Sequence, residues 1–341
     1  MFDSKILYVG PLAEGNTCLQ RKLALDALGC TVIAINTRQT SSEPISLTQR
    51  VLYRLLGPRD TLGINKQIIE SATQIQPDIV WIDKGLIIRP EILLQLKRLI
   101  PQAQLISYSP DDMFNPRNQT RFYRQCIPLY DFHITTKSYN VSEFEKAGAK
   151  KALFIDNAFC EFTHKPPTVS DSERKYFGGP VGFIGTYEKQ RAKSLQTIAD
   201  AGIKVKIWGN WPHGFRYPNL EIMNKPLFGQ EYTKAIYSFD INLCFLRKEN
   251  RDLQTTRSIE IPACGGFMLA ERTTEHLRLF REGKEADYFS DDTELLSKIQ
   301  RYISFPEKRA DIALAGRKMC LSAGYSNTSR LSKVLSQILR H

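Results

Sequence analysis

The sequence has no long apolar run. Nothing in it approaches the roughly 20 consecutive apolar residues of a membrane-spanning helix, and the opening MFDSKILYVGPL carries an acid early and reads as a first strand, not a leader peptide. Cysteine is scattered and odd in number. Its seven positions (18, 30, 126, 160, 244, 264 and 320) never form a C-x-x-C pair. This argues against a zinc or disulfide framework and for a reducing, cytoplasmic setting in which each thiol is a small buried apolar group. No G-x-x-x-x-G-K-[ST] loop is present, which disfavours a nucleoside triphosphatase. No G-x-S-x-G elbow is present either, which disfavours a serine hydrolase. The first glycine loop, VGPLAEGN, is not G-x-G-x-x-G, and a dehydrogenase loses its main signature.

What is there suits two soluble α/β domains. The chain has 341 residues, 42% hydrophobic and 24% charged, enough for two cores of ordinary size. A net charge of +11 favours an anionic partner: a phosphorylated substrate, an acidic membrane surface or nucleic acid. The basic residues are spread out, and no aromatic–basic RNA motif, zinc finger or helix-turn-helix accompanies them, so nucleic acid is not expected.

Strand-like and helix-like segments alternate. KILYVGP (5–11) is a first strand. A helix follows over 17–28, with Asn16 as its cap, Gly29 as its stop, and Leu19, Leu23, Ala24, Ala27 and Leu28 on its buried face; TVIAINT (31–37) is the second strand. The pattern continues through 68–75, 78–83, 90–100, 103–109, 130–136, 138–147 and 153–159. It pauses in the polar stretch THKPPTVSDSERKYFGG (163–179), a linker candidate, and restarts with PVGFIGTY (180–187), a helix over 190–201 and KVKIWG (204–209). Further strands are expected at 240–246 and 266–271, and helices at 231–237, 293–303, 306–322 and 326–339. Such alternation gives two parallel, doubly wound sheets.

Ligands of such sheets sit beyond the C-terminal ends of the strands, so the loops there carry the candidate residues. In RSIEIPACGGFMLAE, Ser258 can start a short helix, Pro262 fits its first turn, and Gly265 or Gly266 ends it. Free amides at that start, with Arg257, would attract a diphosphate, and Glu260 would accept hydrogen bonds from a ribose diol. On spacing alone, an equal alternative has Glu260 complementing the helix dipole and Arg257 in a surface ion pair. In GTYEKQR, Gly185 permits close backbone approach and Arg191 or Lys189 could reach the same diphosphate. Trp211 of WGNWPHGF could border the base or belong to the core. KPLFGQEY (225–232) could offer backbone groups to the base. In the first half, Asp111 or Asp112 of YSPDDMFNPR could act on an acceptor hydroxyl as general base, or could cap a turn. Gly10, Asn16, Asp83 and Lys84 could bind the acceptor, with an internal Asp83–Lys84 pair as the alternative. No third carboxylate or histidine stands near the paired acids, and no metal is expected.

From about residue 180 to 330 the order and spacing of GFIGTYEKQR, IWGNW, RSIEIPACGGFMLAE, LFREGKEADYFSDDTELLSKI, PEKRADIALAGR and GYSNTSR resemble the group 1 branch of GT-B glycosyltransferases, specifically the CgeB-like, spore-maturation type. The resemblance implies a GT-B fold: two Rossmann-like domains facing each other across a cleft, with a C-terminal helix crossing back. The expected bounds are 1–163 for an acceptor domain, 180–323 for a nucleotide-sugar domain and 324–341 for the crossing helix. It implies that Glu260 holds the nucleotide ribose. Many members carry a second glutamate eight positions earlier that touches the sugar; here Asp252 stands there. Arg257 and Arg191 would offset leaving-group charge. Many inverting members use a histidine base, yet none of His133, His164, His213, His276 and His341 lies in the first loop.

The resulting expectation is a cytoplasmic glycosyltransferase, without cofactor, taking a nucleotide sugar (a UDP-sugar) to a saccharide, lipid-linked or small-molecule acceptor. Its positive charge would suit peripheral contact with an anionic membrane. A nucleotide-sugar-binding regulator without catalysis and a GT-B epimerase stay open as alternatives.

Overall fold

The computed structural model describes residues 2–38 and 58–339. The chain divides into two compact units, Met1–Asp156 with Thr328–His341, and Asn157–Asn327.

The first unit is built on six parallel strands: β1 (Lys5–Gly10), β2 (Thr31–Asn36), β3 (Ile79–Asp83), β4 (Gln104–Ser109), β5 (Phe132–Thr135) and β6 (Ala152–Phe154), in the order β2-β1-β3-β4-β5-β6. A parallel sheet covered on both faces needs strands that are apolar on both sides, and β3 is buried along its whole length. On one face Ile6, Tyr8 and Trp81 pack with Leu331, Leu335 and Ile338 of the last helix, Asn327–Ile338. On the other, Leu7, Val9 and Val80 meet Ile68 of helix Ile64–Ile75 and Leu93 and Leu96 of helix Pro90–Leu99.

The second unit repeats the plan with β7 (Gly179–Ile184), β8 (Val205–Trp208), β9 (Leu220–Ile222), β10 (Phe239–Cys244), β11 (Met268–Glu271) and β12 (Asp287–Phe289). All are parallel, in the order β12-β11-β10-β7-β8-β9. Strand order reverses between β7 and β10 here, and between β1 and β3 in the first unit. At such a point the two following loops turn to opposite faces and leave a crevice at the sheet's C-terminal edge.

Three expectations are corrected. The first helix, Thr17–Ala27, has the expected cap, with the Asn16 side chain accepting from the Cys18 amide, but a different buried face. Cys18, Arg21, Ala24 and Leu25 point inward and Leu23 is 39% exposed, because Arg21 reaches in to a charge on β3. The expected linker is part of the second unit. Its S-x-x-E run forms helix Asp171–Phe177 with a reciprocal cap between Ser170 and Glu173. The division of the chain falls earlier, at Asp156/Asn157. Strands β9 and β12 are three residues each, too short for period-two patterning to reveal.

Candidate functional site

The reversal point of the second sheet gathers three arginines. The chain leaves β7 through Gly185–Glu188 into helix Lys189–Asp200, whose first turn carries Arg191. It leaves β10 through a loop bearing Arg247 into helix Arg257–Ala263. Arg191 is 7% exposed; its Nη1 donates to the Thr186 carbonyl at 3.0 Å and its Nη2 lies 3.2 Å from Glu188 Oε1. The same Glu188 oxygen lies 3.7 Å from Arg247 Nε. The Arg257 side chain makes no hydrogen bond or ion pair among the described residues, and both Arg191 Nε and Arg257 Nε are buried without a partner. A neighbouring pair, Lys248 and Glu271 at 3.4 Å, balances itself. Arg191 and Arg257 thus stand close enough to repel, each with a buried guanidinium N–H unpaired, and Arg247 joins them over Glu188. Burial, then the positive charges of Arg257 and Arg247, outweigh Glu188 and hold Arg191 below the ordinary arginine range. Guanidinium does not lose its proton in a protein, so Arg191 and Arg257 stay charged beside each other, which suits an anion.

The helix start does not help as expected. The amides of Ser258, Ile259 and Glu260 already donate to the Thr255 and Thr256 carbonyls, and the Thr255 amide to Ser258 Oγ. Thr256, not Ser258, precedes the helix, and Ser258 is fully buried. Its Oγ meets His276 Nε2 at 2.7 Å, while His276 Nδ1 lies 2.6 Å from the Glu271 carbonyl. A carbonyl only accepts, so Nδ1 carries the proton and Ser258 donates to Nε2. This pins the residue next to Arg257.

Glu260 is 5% exposed. The Tyr232 hydroxyl, from helix Gly229–Ser238, donates to its Oε2 at 2.6 Å, and His164 Nε2 stands 3.9 Å from its Oε1. Burial, then the Glu260 charge, push the Tyr232 phenol far up, so it remains a donor. Oε1 accepts no hydrogen bond from the described residues. Ile184, Tyr232, Asn242, Arg257 and Ile261 line one small cavity. Sequence reasoning missed both His164, placed in a linker, and the side chain of Tyr232, whose segment was noted for its backbone.

Other expected residues of this unit have structural tasks. Asp252 is buried and braces its own loop, accepting from Asn250 Nδ2 at 2.7 Å and from the Arg247 amide at 3.4 Å. Trp211 is not an open platform: its indole donates to the Gly185 carbonyl at 3.1 Å, and Tyr187 and Phe215 cover it with centroids at 5.2 and 5.3 Å. The Gly185 amide bonds to the Trp208 carbonyl, so both its backbone groups are taken. Gly265, at φ +79°, ends helix Arg257–Ala263 in the left-handed region, facing Pro166 and Tyr237 at the end remote from Arg257.

In the first unit, charge is balanced at the reversal point. Asp83 is paired with Arg21 (Nη2–Oδ1 2.7 Å) and accepts from the Tyr8 hydroxyl, while Arg21 lies over the Tyr108 ring at 4.0 Å. Burial opposes the Arg21 charge, Asp83 outweighs it, and its pKa rises. A Cβ on Gly10 would stand 3.0 Å from that of Asp83, so Gly10 makes room for the pair. Lys84 pairs with Asp111 at 2.5 Å, not with Asp83. Asp112 is buried, and its Oδ1 accepts from Asn140 Nδ2 and the Phe114 amide. The Lys84–Asp111 pair is partly exposed, with side chains 42% and 19% accessible.

Burial holds His133 and His276 down at about 4. Between pH 4 and about 6.5, the unfolded-chain value, the unfolded state binds more protons, so the stability of neutral His276 is present above pH 6.5 and lost as pH falls to 4. The expected loss is on the order of 3 kcal/mol. Urea unfolding across that range should show a shallower pH slope in His276→Gln than in the unchanged protein. His341 lies outside the described residues.

Among the described residues no helix is long and apolar enough to cross a membrane, and no group of three or more His, Cys, Asp or Glu could hold a metal ion. Residues 190–336, less than half of the chain, match the model of a family described as glycosyl transferase-like. No curated protein matches this chain in sequence. Three solved structures superpose over nearly the whole length. HepE of Anabaena, in complex with UDP and glucose, is 13% identical, covering 98% of this chain and 100% of its own, with a TM-score of 0.65. Sucrose-phosphate synthase of Thermosynechococcus elongatus is 12% identical, covering 99% of each chain, at 0.67. A glycosyltransferase of Rickettsia africae is 13% identical, covering 98% of each, at 0.61. With two parallel six-stranded α/β units and this likeness, the chain has the GT-B fold.

Proposed function

We propose that the chain is a glycosyltransferase of the CgeB-like type, transferring a sugar, expected to be a hexose, from a nucleoside-diphosphate donor to an acceptor hydroxyl. The observation that carries this is the pair of mutually repelling arginines, Arg191 and Arg257, each with its Nε buried and unpartnered where β7 and β10 part. A diphosphate would accept from the unpartnered N–H groups of Arg191 and Arg257, and the same guanidinium groups stabilise the charge that grows on the leaving phosphate, without a required metal. Glu260 Oε1, an unsatisfied acceptor, takes a hydrogen bond from the ribose. HepE, solved with UDP and glucose on the same fold, supports UDP as the nucleotide. The first unit would bind the acceptor, a saccharide, a lipid-linked sugar or a small molecule, beside the partly exposed Lys84–Asp111 pair. The chain's positive excess would favour an acceptor at an anionic membrane face in the cytoplasm.

Isothermal titration with UDP and UDP-sugars tests the reading. Glu260→Ala is expected to weaken UDP binding about 30-fold, the loss of a charged hydrogen bond, with circular dichroism unchanged. An unaltered affinity overturns the ribose assignment. Binding without transfer or hydrolysis of the sugar would identify a non-catalytic regulator instead.

A further inference from the structure

His164 is held by its own turn. Its amide donates to the Cys160 carbonyl at 2.7 Å, and the Cys160 amide donates back to His164 Nδ1 at 3.0 Å. With Nδ1 accepting, the neutral ring carries its proton on Nε2. That N–H faces Glu260 Oε1 across 3.9 Å, too far for a hydrogen bond. Tyr232 fixes the other carboxylate oxygen and flanks the imidazole, ring centroids 5.7 Å apart, so neither partner of the gap is free to close it by rotation alone. Neither facing atom has a hydrogen-bond partner among the described residues, and neither is sealed from solvent.

A lone acceptor and a lone donor thus face each other one atom apart. An oxygen about 2.8 Å from each would subtend about 90° between them, within reach of a hydroxyl that donates one hydrogen bond and accepts another. We propose that His164 is a specificity-determining contact: one ribose hydroxyl donates to Glu260 Oε1 and accepts from His164 Nε2, and Tyr232 positions the carboxylate for it. This rests on the reading of Glu260 as the ribose ligand. A hydrogen, or an ether oxygen, in place of the hydroxyl leaves at least one buried polar group unpaired, so the gap selects ribonucleotides over deoxyribonucleotides.

Titrations of the full chain with UDP, 2′-deoxy-UDP and 3′-deoxy-UDP separate the possibilities. The unchanged protein should bind UDP about 30-fold more tightly than one of the deoxy forms. In His164→Leu that ratio should fall to about 3-fold or less while affinity for the disfavoured deoxy form stays within about 3-fold, and His164→Gln, which keeps an N–H in place, should restore part of it. Tyr232→Phe should lower the ratio as well, and it serves where His164→Leu fails to fold. If His164→Leu weakens all three ligands equally, or Tyr232→Phe and His164→Leu keep the full ratio while Glu260→Ala abolishes it, the contact is wrong and the Glu260 reading survives. If the unchanged protein does not discriminate, or does not bind UDP, both fall.

Discussion

Replacing Arg257 by alanine is expected to weaken UDP binding about 100-fold without lowering the stability of the fold. The magnitude follows from losing a charge-assisted contact to phosphate, about 1.5–3 kcal/mol. The second half of the expectation follows from what Arg257 lacks. Its side chain has no hydrogen bond or ion pair among the described residues, its Nε is buried without a partner, and its charge acts against Arg191. Removing it relieves repulsion, so the melting temperature should hold or rise while affinity falls. A residue kept at the expense of stability is the signature of a binding group. Arg191→Ala should differ, because Arg191 also holds the Thr186 carbonyl and meets Glu188; both affinity and stability should drop. A fall in melting temperature for Arg257→Ala together with unchanged UDP affinity would make the cluster a structural feature. Raising the salt concentration should weaken UDP binding to the unchanged protein, since phosphate contacts are screened.

Asp83→Ala is expected to cost the first unit about 3–5 kcal/mol. The Arg21–Asp83 pair is sealed, with side chains 4% and 0% exposed, and deleting one partner strands a buried guanidinium under Tyr108 with no counter-charge. Replacing both residues together, Arg21→Met with Asp83→Leu, should lose much less, because no charge is then left behind. Urea unfolding of the three variants measures the difference, and equal losses in the single and double variants would contradict it. UDP affinity should be unaffected by either change, since both residues belong to the first unit.

The alternation of strands and helices was legible because each sheet is buried on both faces, which writes apolar runs at regular intervals. KILYVG, IVWID and QLISYS are such runs, and all three became strands. Charges hidden in the core were not legible. The expected buried face of the first helix leaves Arg21 out, and only the fold brings it to Asp83, 62 positions away. The same blindness turned the first helix by part of a turn in the sequence reading. At the candidate site, Arg191, Arg257 and Glu260 lie in short motifs and could be named. Arg247, Tyr232 and His164 could not, since no local spacing ties His164 to a glutamate 96 positions on. Asp252, Trp211 and Gly185 were legible as residue types but not as tasks. An acid, an indole and a glycine at a strand end serve loop bracing as readily as ligand contact, and burial alone separates the two.

The chain enters and leaves its second unit at one place. Phe159 donates from its amide to the Tyr325 carbonyl at 3.1 Å and accepts from the Asn327 amide at 2.9 Å, so the two ends of 157–327 lie side by side. The first unit is thereby discontinuous in sequence, with its last helix supplied after the interruption. Adjacent ends are the condition under which one module can be excised, circularly permuted or grafted without rebuilding its host. Residues 157–327 have the form of an exchangeable cassette, one that evolution or an engineer can swap as a piece.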